Sequence, residues 1–264
     1  MLFRSTGDIV AYGGDPQACV DLLRAHGVHV VMGNCEEQIA TGAEDCGCGY
    51  APGTACDRLS QAWYPFALRA LDAEARDWMG ALPRRIDLRI NGLDLAFVHG
   101  ALNAISRFVF ASTPARVKAR DIEAARVDGI VGGHCGLPFT QIIDGKLWHN
   151  AGVIGMPAND GTPRAWCSVL TPGPRTRSLS VEHVALDYDF AAAARSGLLL
   201  VWKIVLIVEL LGRPNGVGFE IGTAFQLFDV TRILAYAFAF VAAMLAIEYV
   251  LVQPLERRVT RWRR

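Results

Sequence analysis

Apolar positions fall into two rhythms over the first two-thirds of the chain, short runs with a period near two and longer stretches with a period near 3.6. Asp15-Pro16 opens a helix predicted to run to His26, with aspartate at the N-cap, proline at the first helical position and Gly27 after the end. Val28 to Met32 reads as a buried strand. Asp57 to about Leu82 reads as one or two helices, with Trp63, Tyr64, Phe66 and Trp78 at helical spacing as core residues. Ile86–Ile90 and Leu93–Phe97 alternate on either side of Asn91-Gly92, the strongest short hairpin signal. Ala115 to Val127 is predicted helical, and Gly129 to Val131 a short buried strand. Phe139–Asp144 and Leu147–His149 flank Gly145-Lys146 as a second hairpin, and Trp166–Leu170 and Ser178–Val184 complete a strand-rich end. This order predicts an α/β (α+β) sandwich of mixed sheets with helices outside.

After Ala185 the pattern changes. Asp187 to Arg195 reads as a polar-to-alanine link, and Gly197 to Leu211 is nearly all aliphatic apart from Trp202, Lys203 and Glu209. A Gly/Pro/Asn loop covers Gly212 to Gly218. Ile233 to Gln253 then carries Glu248 as its only charge, and at roughly 1.5 Å per residue it can cross a ~30 Å hydrocarbon core as a helix. The arginine-rich end from Glu256 to Arg264 places the C-terminus on the cytoplasmic side of such a span. The expected organisation is therefore residues 1–190 as one domain and 191–264 as a helical segment with a transmembrane helix at 233–253.

The 26 basic and 26 acidic residues cancel, which removes any chain-wide field toward nucleic acid. Met1 to Asp8 lacks the apolar run of a signal peptide, so the seven cysteines are expected as thiols in a reducing compartment. The N-terminal domain is accordingly expected in the cytoplasm, at the membrane if the tail helices insert. Cys46-Gly47-Cys48 with Cys56 and Cys35 invites a zinc reading, but the spacing is not that of a structural zinc site. Reduced thiols, or a pair that oxidises, are the expectation there.

Four polar residues follow apolar strand-like runs: Asp8 in Gly7-Asp8, Asn34 in Gly33-Asn34-Cys35-Glu36, His99 in Val98-His99-Gly100 and His134 in Gly132-Gly133-His134. Strands lying side by side would bring all four to one sheet edge. One carboxylate, one amide oxygen and two imidazoles suit Mn, Fe or Zn rather than Ca. Such an ion polarises a phosphoryl oxygen and acidifies a bound water.

These motifs resemble the calcineurin-like metallophosphoesterase superfamily, whose signature is Asp-x-His, Gly-Asp, Gly-Asn-His-Asp/Glu, His and Gly-His-x-His. Gly7-Asp8-Ile9-Val10-Ala11-Tyr12-Gly13 followed by Asp15-Pro16, and Asn150-Ala151-Gly152-Val153-Ile154-Gly155-Met156-Pro157, are similar to a subgroup of small bacterial phosphodiesterase-like members. The resemblance spans about residues 1–190 and implies a four-layer α-β-β-α sandwich of two mixed sheets, with metal at the sheet edge. It also implies a small phosphomonoester or phosphodiester substrate. The Asp-x-His strand and its helix have no counterpart, so the sandwich is expected to lack its first strand. Cys35 stands where the family has its catalytic histidine, and Gly136 where it has the second histidine of the last motif. Sorted by ion, the resemblance leaves one ligand set whole, Asp8, Asn34, His99 and His134, and predicts one held divalent ion rather than two. Cys35 and Glu36 are the candidate catalytic positions, Glu36 as an organiser of Asn34 and its loop. His149 is a possible substitute ligand, though a structural strand-end histidine is the simpler reading. Arg107 and Arg116 are candidates for phosphate contact, and the loops Gly42–Ala55 and Ile105–Pro114 for specificity.

Trp202 to Gly212, Asn215 to Ile221 and Ile233 to Gln253 with the basic tail resemble the end of a nitrate/sulfonate/taurine-type ABC transporter permease. That resemblance implies membrane insertion and transporter subunits as partners. A non-catalytic membrane protein, or a fusion without a stable function, stands as the alternative to a phosphoesterase.

Overall fold

The computed structural model describes residues 3–158, 160–162, 164–186 and 216–254. The Asp187–Arg195 link, the aliphatic stretch Gly197–Leu211 and the basic tail lie outside the described residues. The chain divides into two compact units, residues 1–187 and 188–264.

The first unit is a mixed α+β sandwich. Its main sheet has the order β3 (Arg85–Ile90), β4 (Leu93–Val98), β5 (Gly129–Gly132), β7 (Lys146–Asn150), β6 (Phe139–Ile143). The central strands β4, β5 and β7 run parallel, and each edge is closed by an antiparallel hairpin. Both hairpins turn on the pairs that the alternation marks, Asn91-Gly92 and Asp144-Gly145, where all four residues take positive φ. Leu95, Phe97, Val131 and Leu147 fill one face and pack with Leu170, Leu179 and Val181 of the hairpin β8 (Ala165–Pro172) and β9 (Leu179–Leu186). Ala96, Val98, Ile130 and Trp148 fill the other face, against Ile122 and Ala125 of α5 (Ala115–Ala125). The period of two thus sorts neighbouring residues of one strand into two cores.

A second parallel pair, β1 (Arg4–Ser5) with β2 (His29–Val30), carries the first part of the chain. The expected strand Val28–Met32 is shorter than its apolar run, because β1 offers only two residues to pair with it. Val31 and Met32 donate onward to the Ser5 and Pro83 carbonyls at 2.9 and 2.8 Å instead. Helix α1 (Pro16–Ala25) begins as predicted, with the Asp15 side chain accepting from the Ala18 N–H at 3.2 Å. Helices α2 (Asn34–Thr41), α3 (Ala55–Ala70) and α4 (Ala73–Gly80) follow. Tyr64 is buried and Trp63 and Trp78 are half-buried in their cluster, as expected of core aromatics. Phe66 is not, and is 40% exposed.

Within the second unit, α6 (Val217–Gln226) and α7 (Val230–Ile247) are described, α7 continuing into a π-helical turn at Glu248–Val252. Asp229 caps α7 by accepting from the Arg232 N–H at 3.0 Å, and Arg232 pairs with Glu220 at 3.0 Å. Val230–Val250 is long and apolar enough to cross a membrane by length and composition, and no α7 residue is buried.

Candidate metal centre

Two tight backbone approaches build the site. Gly33 lies so close to the Gly7-Asp8 turn that a Cβ on it would stand 2.2 Å from Asp8 Oδ1 and 2.5 Å from Asp8 N, so only glycine fits there. Asp8 itself, and His134 after β5, sit at φ +55° and +59°, a region that costs a side-chain-bearing residue energy and that clusters at functional sites. His99 follows β4 directly.

The Glu36 carboxylate locks these pieces together. It is fully buried and accepts the N–H groups of Asp8 (2.7 Å), Ile9 (2.9 Å) and Gly33 (2.8 Å). Burial, then the charge of Asp8, pushes its pKa up to about 7. Of the two candidate catalytic positions, Glu36 therefore organises backbone and faces no substrate.

All four expected ligand side chains meet at one atom. His99 Nε2 lies 3.2 Å from Asp8 Oδ2, 3.0 Å from Asn34 Oδ1 and 3.0 Å from His134 Nδ1. His99 Nδ1 is 2.5 Å from the Thr6 carbonyl, which can only accept, so the proton of the neutral ring sits on Nδ1 and the Nε2 lone pair faces the cluster. Asn34 is oriented in the same way. Its Nδ2 donates to the Cys46 carbonyl at 2.8 Å, which turns Oδ1 toward His99. Burial alone would raise the Asp8 pKa, but the adjoining His99 overcomes it and holds it low; burial would lower that of His99, and Asp8 in turn holds it high. His134 is pushed down to about 4 by burial and by the neighbouring His99.

Carboxylate, amide oxygen and two imidazole nitrogens thus point at one another with a shortage of protons. A single proton on His99 Nε2 serves one acceptor well. A divalent ion serves all four, and separations near 3 Å are those kept by neighbouring ligands bonded at roughly 2.0–2.2 Å to one first-row ion. The residues present fit a metal. Among the described residues, Asp8, His99 and His134 form the one group of three or more ionisable metal-binding side chains, with donor atoms within 4.8 Å of one another.

Other expectations resolve differently. Cys35 is fully buried; burial, then Asp8, raises its thiol pKa well above the usual value, against the lowered value its position beside a cation suggests. It has neither the exposure nor the acidity to replace a catalytic histidine. His149 lies outside the cluster, its Nδ1 2.9 Å from the Thr140 hydroxyl. Arg107 and Arg116 are both exposed. Cys46 and Cys48 form a disulfide, which corrects the expectation of seven thiols. Phe108, which no sequence signal marks, stacks on His134 with centroids 4.2 Å apart and touches Tyr50 at 5.8 Å, so both specificity loops place an aromatic ring beside the cluster.

Comparison with solved structures places this fold among metallophosphoesterases. A metallophosphoesterase from Sphaerobacter thermophilus aligns with a TM-score of 0.51 and 20% identity over 74% of this chain and 82% of its own. A hypothetical protein from Pyrococcus horikoshii OT3 aligns with a TM-score of 0.55 and 15% identity over 72% and 77%. No family model and no curated protein matches the sequence. At such identities the likeness is one of fold, and the permease resemblance of the C-terminal segment has no support from any of the comparisons.

Proposed function

We propose that the first unit is a metal-dependent phosphoric ester hydrolase acting on a small phosphomonoester or phosphodiester. The observation that carries this reading is the convergence of Asp8, Asn34 and His134 on His99 Nε2 at 3.0–3.2 Å. These four side chains would hold one Mn, Fe or Zn ion rather than two, because the family's other ligand positions include Gly136 and motifs with no counterpart here. When bound, the ion supplies Lewis acidity toward a phosphoryl oxygen and a bound water of lowered pKa. The chain's own residues do the positioning. Thr6 fixes the His99 tautomer, Glu36 holds the Asp8 and Gly33 backbones, and Cys46 orients the Asn34 amide. Burying these donors keeps them pre-arranged and dry, which strengthens each charge interaction.

The position of the family's leaving-group histidine carries a buried thiol with a raised pKa, so the departing oxygen takes its proton from solvent. Esters with acidic leaving groups, aryl phosphates foremost, are the substrates this arrangement favours. Aryl phosphate hydrolysis that is abolished by chelation and by Asp8→Asn supports the reading; a rate unchanged by both refutes it. We further propose that the apolar helix Val230–Val250 ties the chain to a membrane with the hydrolase unit in the cytoplasm.

A further inference from the structure

The loop between α2 and α3, residues 42–54, contains no regular structure, yet it supplies the contact that orients a candidate metal ligand. Asn34 Nδ2 donates to the Cys46 carbonyl at 2.8 Å and lies 3.4 Å from Cys48 Sγ. A carbonyl and a disulfide sulfur only accept, so the amide nitrogen is committed to the loop and the amide oxygen to His99. Flipping the amide would present an NH₂ group to the cluster, and an NH₂ group cannot ligate. Cys46 and Cys48 are joined by a disulfide with Cα atoms 5.3 Å apart, and each is 4% exposed. A bridge between residues two apart constrains the unfolded chain least of all, so its effect is local. The same bridge reaches the other ligand segment, because the Tyr12 hydroxyl, in the turn after Asp8, lies 3.3 Å from Cys48 Sγ and 3.0 Å from the Tyr50 hydroxyl. One covalent staple therefore touches the chain on both sides of the cluster.

We infer that the Cys46–Cys48 disulfide is a positioning element for Asn34, and that its reduction weakens divalent-ion binding at Asp8, Asn34, His99 and His134; this rests on the metal-site reading above. A dithiol is the reductant. One of its thiolates attacks Cys46 or Cys48 sulfur, the S–S bond breaks, and the second thiolate resolves the mixed disulfide. The chain gains two electrons and two protons as two thiols, and the dithiol leaves as a disulfide. The ion changes no oxidation state. With the bridge open, the Cys46 carbonyl loses its fixed position and Asn34 its single orientation. Outer partners of metal ligands are worth about 10- to 100-fold in affinity, so a loss of about tenfold or more is expected.

The test is a titration of the full chain with Mn²⁺, an ion ill-suited to thiolates, before and after dithiol treatment, beside a Cys46→Ser/Cys48→Ser variant. Alkylation after denaturation counts the thiols, five being expected in the oxidised chain and seven in the reduced one. Thermal melts confirm that each form is folded. Weaker Mn²⁺ binding on reduction, absent from the doubly substituted chain, supports the inference. Equal affinity in both redox states, or seven thiols in air-oxidised protein, overturns it. No Mn²⁺ binding in either state overturns the metal-site reading itself, a signature distinct from binding that ignores the disulfide.

Discussion

At the scale of single residues, the chain holds several buried ionisable groups whose environments give them opposite roles. Glu36→Gln separates organisation from chemistry. Its amide can accept at one end but sets an NH₂ group against backbone N–H groups at the other, at a cost of about 1–3 kcal/mol. A lowered denaturation midpoint together with weakened metal binding is the expected result, read by chemical denaturation and by Mn²⁺ titration. His149 tests burial alone. It is fully buried away from the cluster, and burial, then the nearby His183, lowers its pKa from 6.5 to about 4. The unfolded chain therefore binds the proton that the folded chain refuses between these values. Stability contributed by the neutral ring is present above about pH 6.5 and is lost as pH falls toward 4. That contribution is on the order of 2–3 kcal/mol. Denaturation midpoints compared between pH 7 and 5 should fall more steeply in the wild type than in His149→Gln, and parallel slopes would remove His149 from the account of acid sensitivity.

At the scale of elements, the sheet and its cores follow from local signals while the site depends on distant ones. Lys118 on α5 is fully buried and donates to the carbonyls of Ala111 (3.1 Å) and Thr113 (2.9 Å) and to Gln141 Oε1 (2.5 Å), stitching helix, loop and β6 together. Lys118→Met keeps much of the volume but strands these acceptors, and a loss of about 2–3 kcal/mol in denaturant unfolding is expected. Both hairpins and α1 were legible because Asn91-Gly92, the Phe139–His149 alternation and Asp15-Pro16 act within a few residues. Helix α2 was not. The side chain at its start, Glu36, closes on Gly33 but also on Asp8 and Ile9, far back in the chain. Apolar residues before Gly33 suggested only a strand end. The four ligand positions were readable as residue types after strands, whereas the Thr6 and Cys46 carbonyls that orient two of them carry no sequence signature. The Cys46–Cys48 bridge was hidden for another reason, since spacing alone does not distinguish a disulfide from a pair of thiols.

At the scale of the whole molecule, a hydrolase-like unit shares one chain with an apolar helix in which no residue is buried. Expressed in bacteria, the full chain should sediment with membranes and be released by detergent but not by high salt; recovery as a monodisperse protein without detergent would contradict the tether. The permease-like sequence pattern implies nothing further about transport, since Trp202, Lys203 and Glu209 lie outside the described residues. The account's central claim concerns the first unit, and metal analysis of the purified chain tests it most directly. About one Mn, Fe or Zn ion per wild-type chain is expected, with occupancy in Asp8→Asn reduced at least about 100-fold in affinity terms. A folded wild-type chain that retains no divalent ion when one is supplied, or an Asp8→Asn chain that retains as much as the wild type, would contradict it.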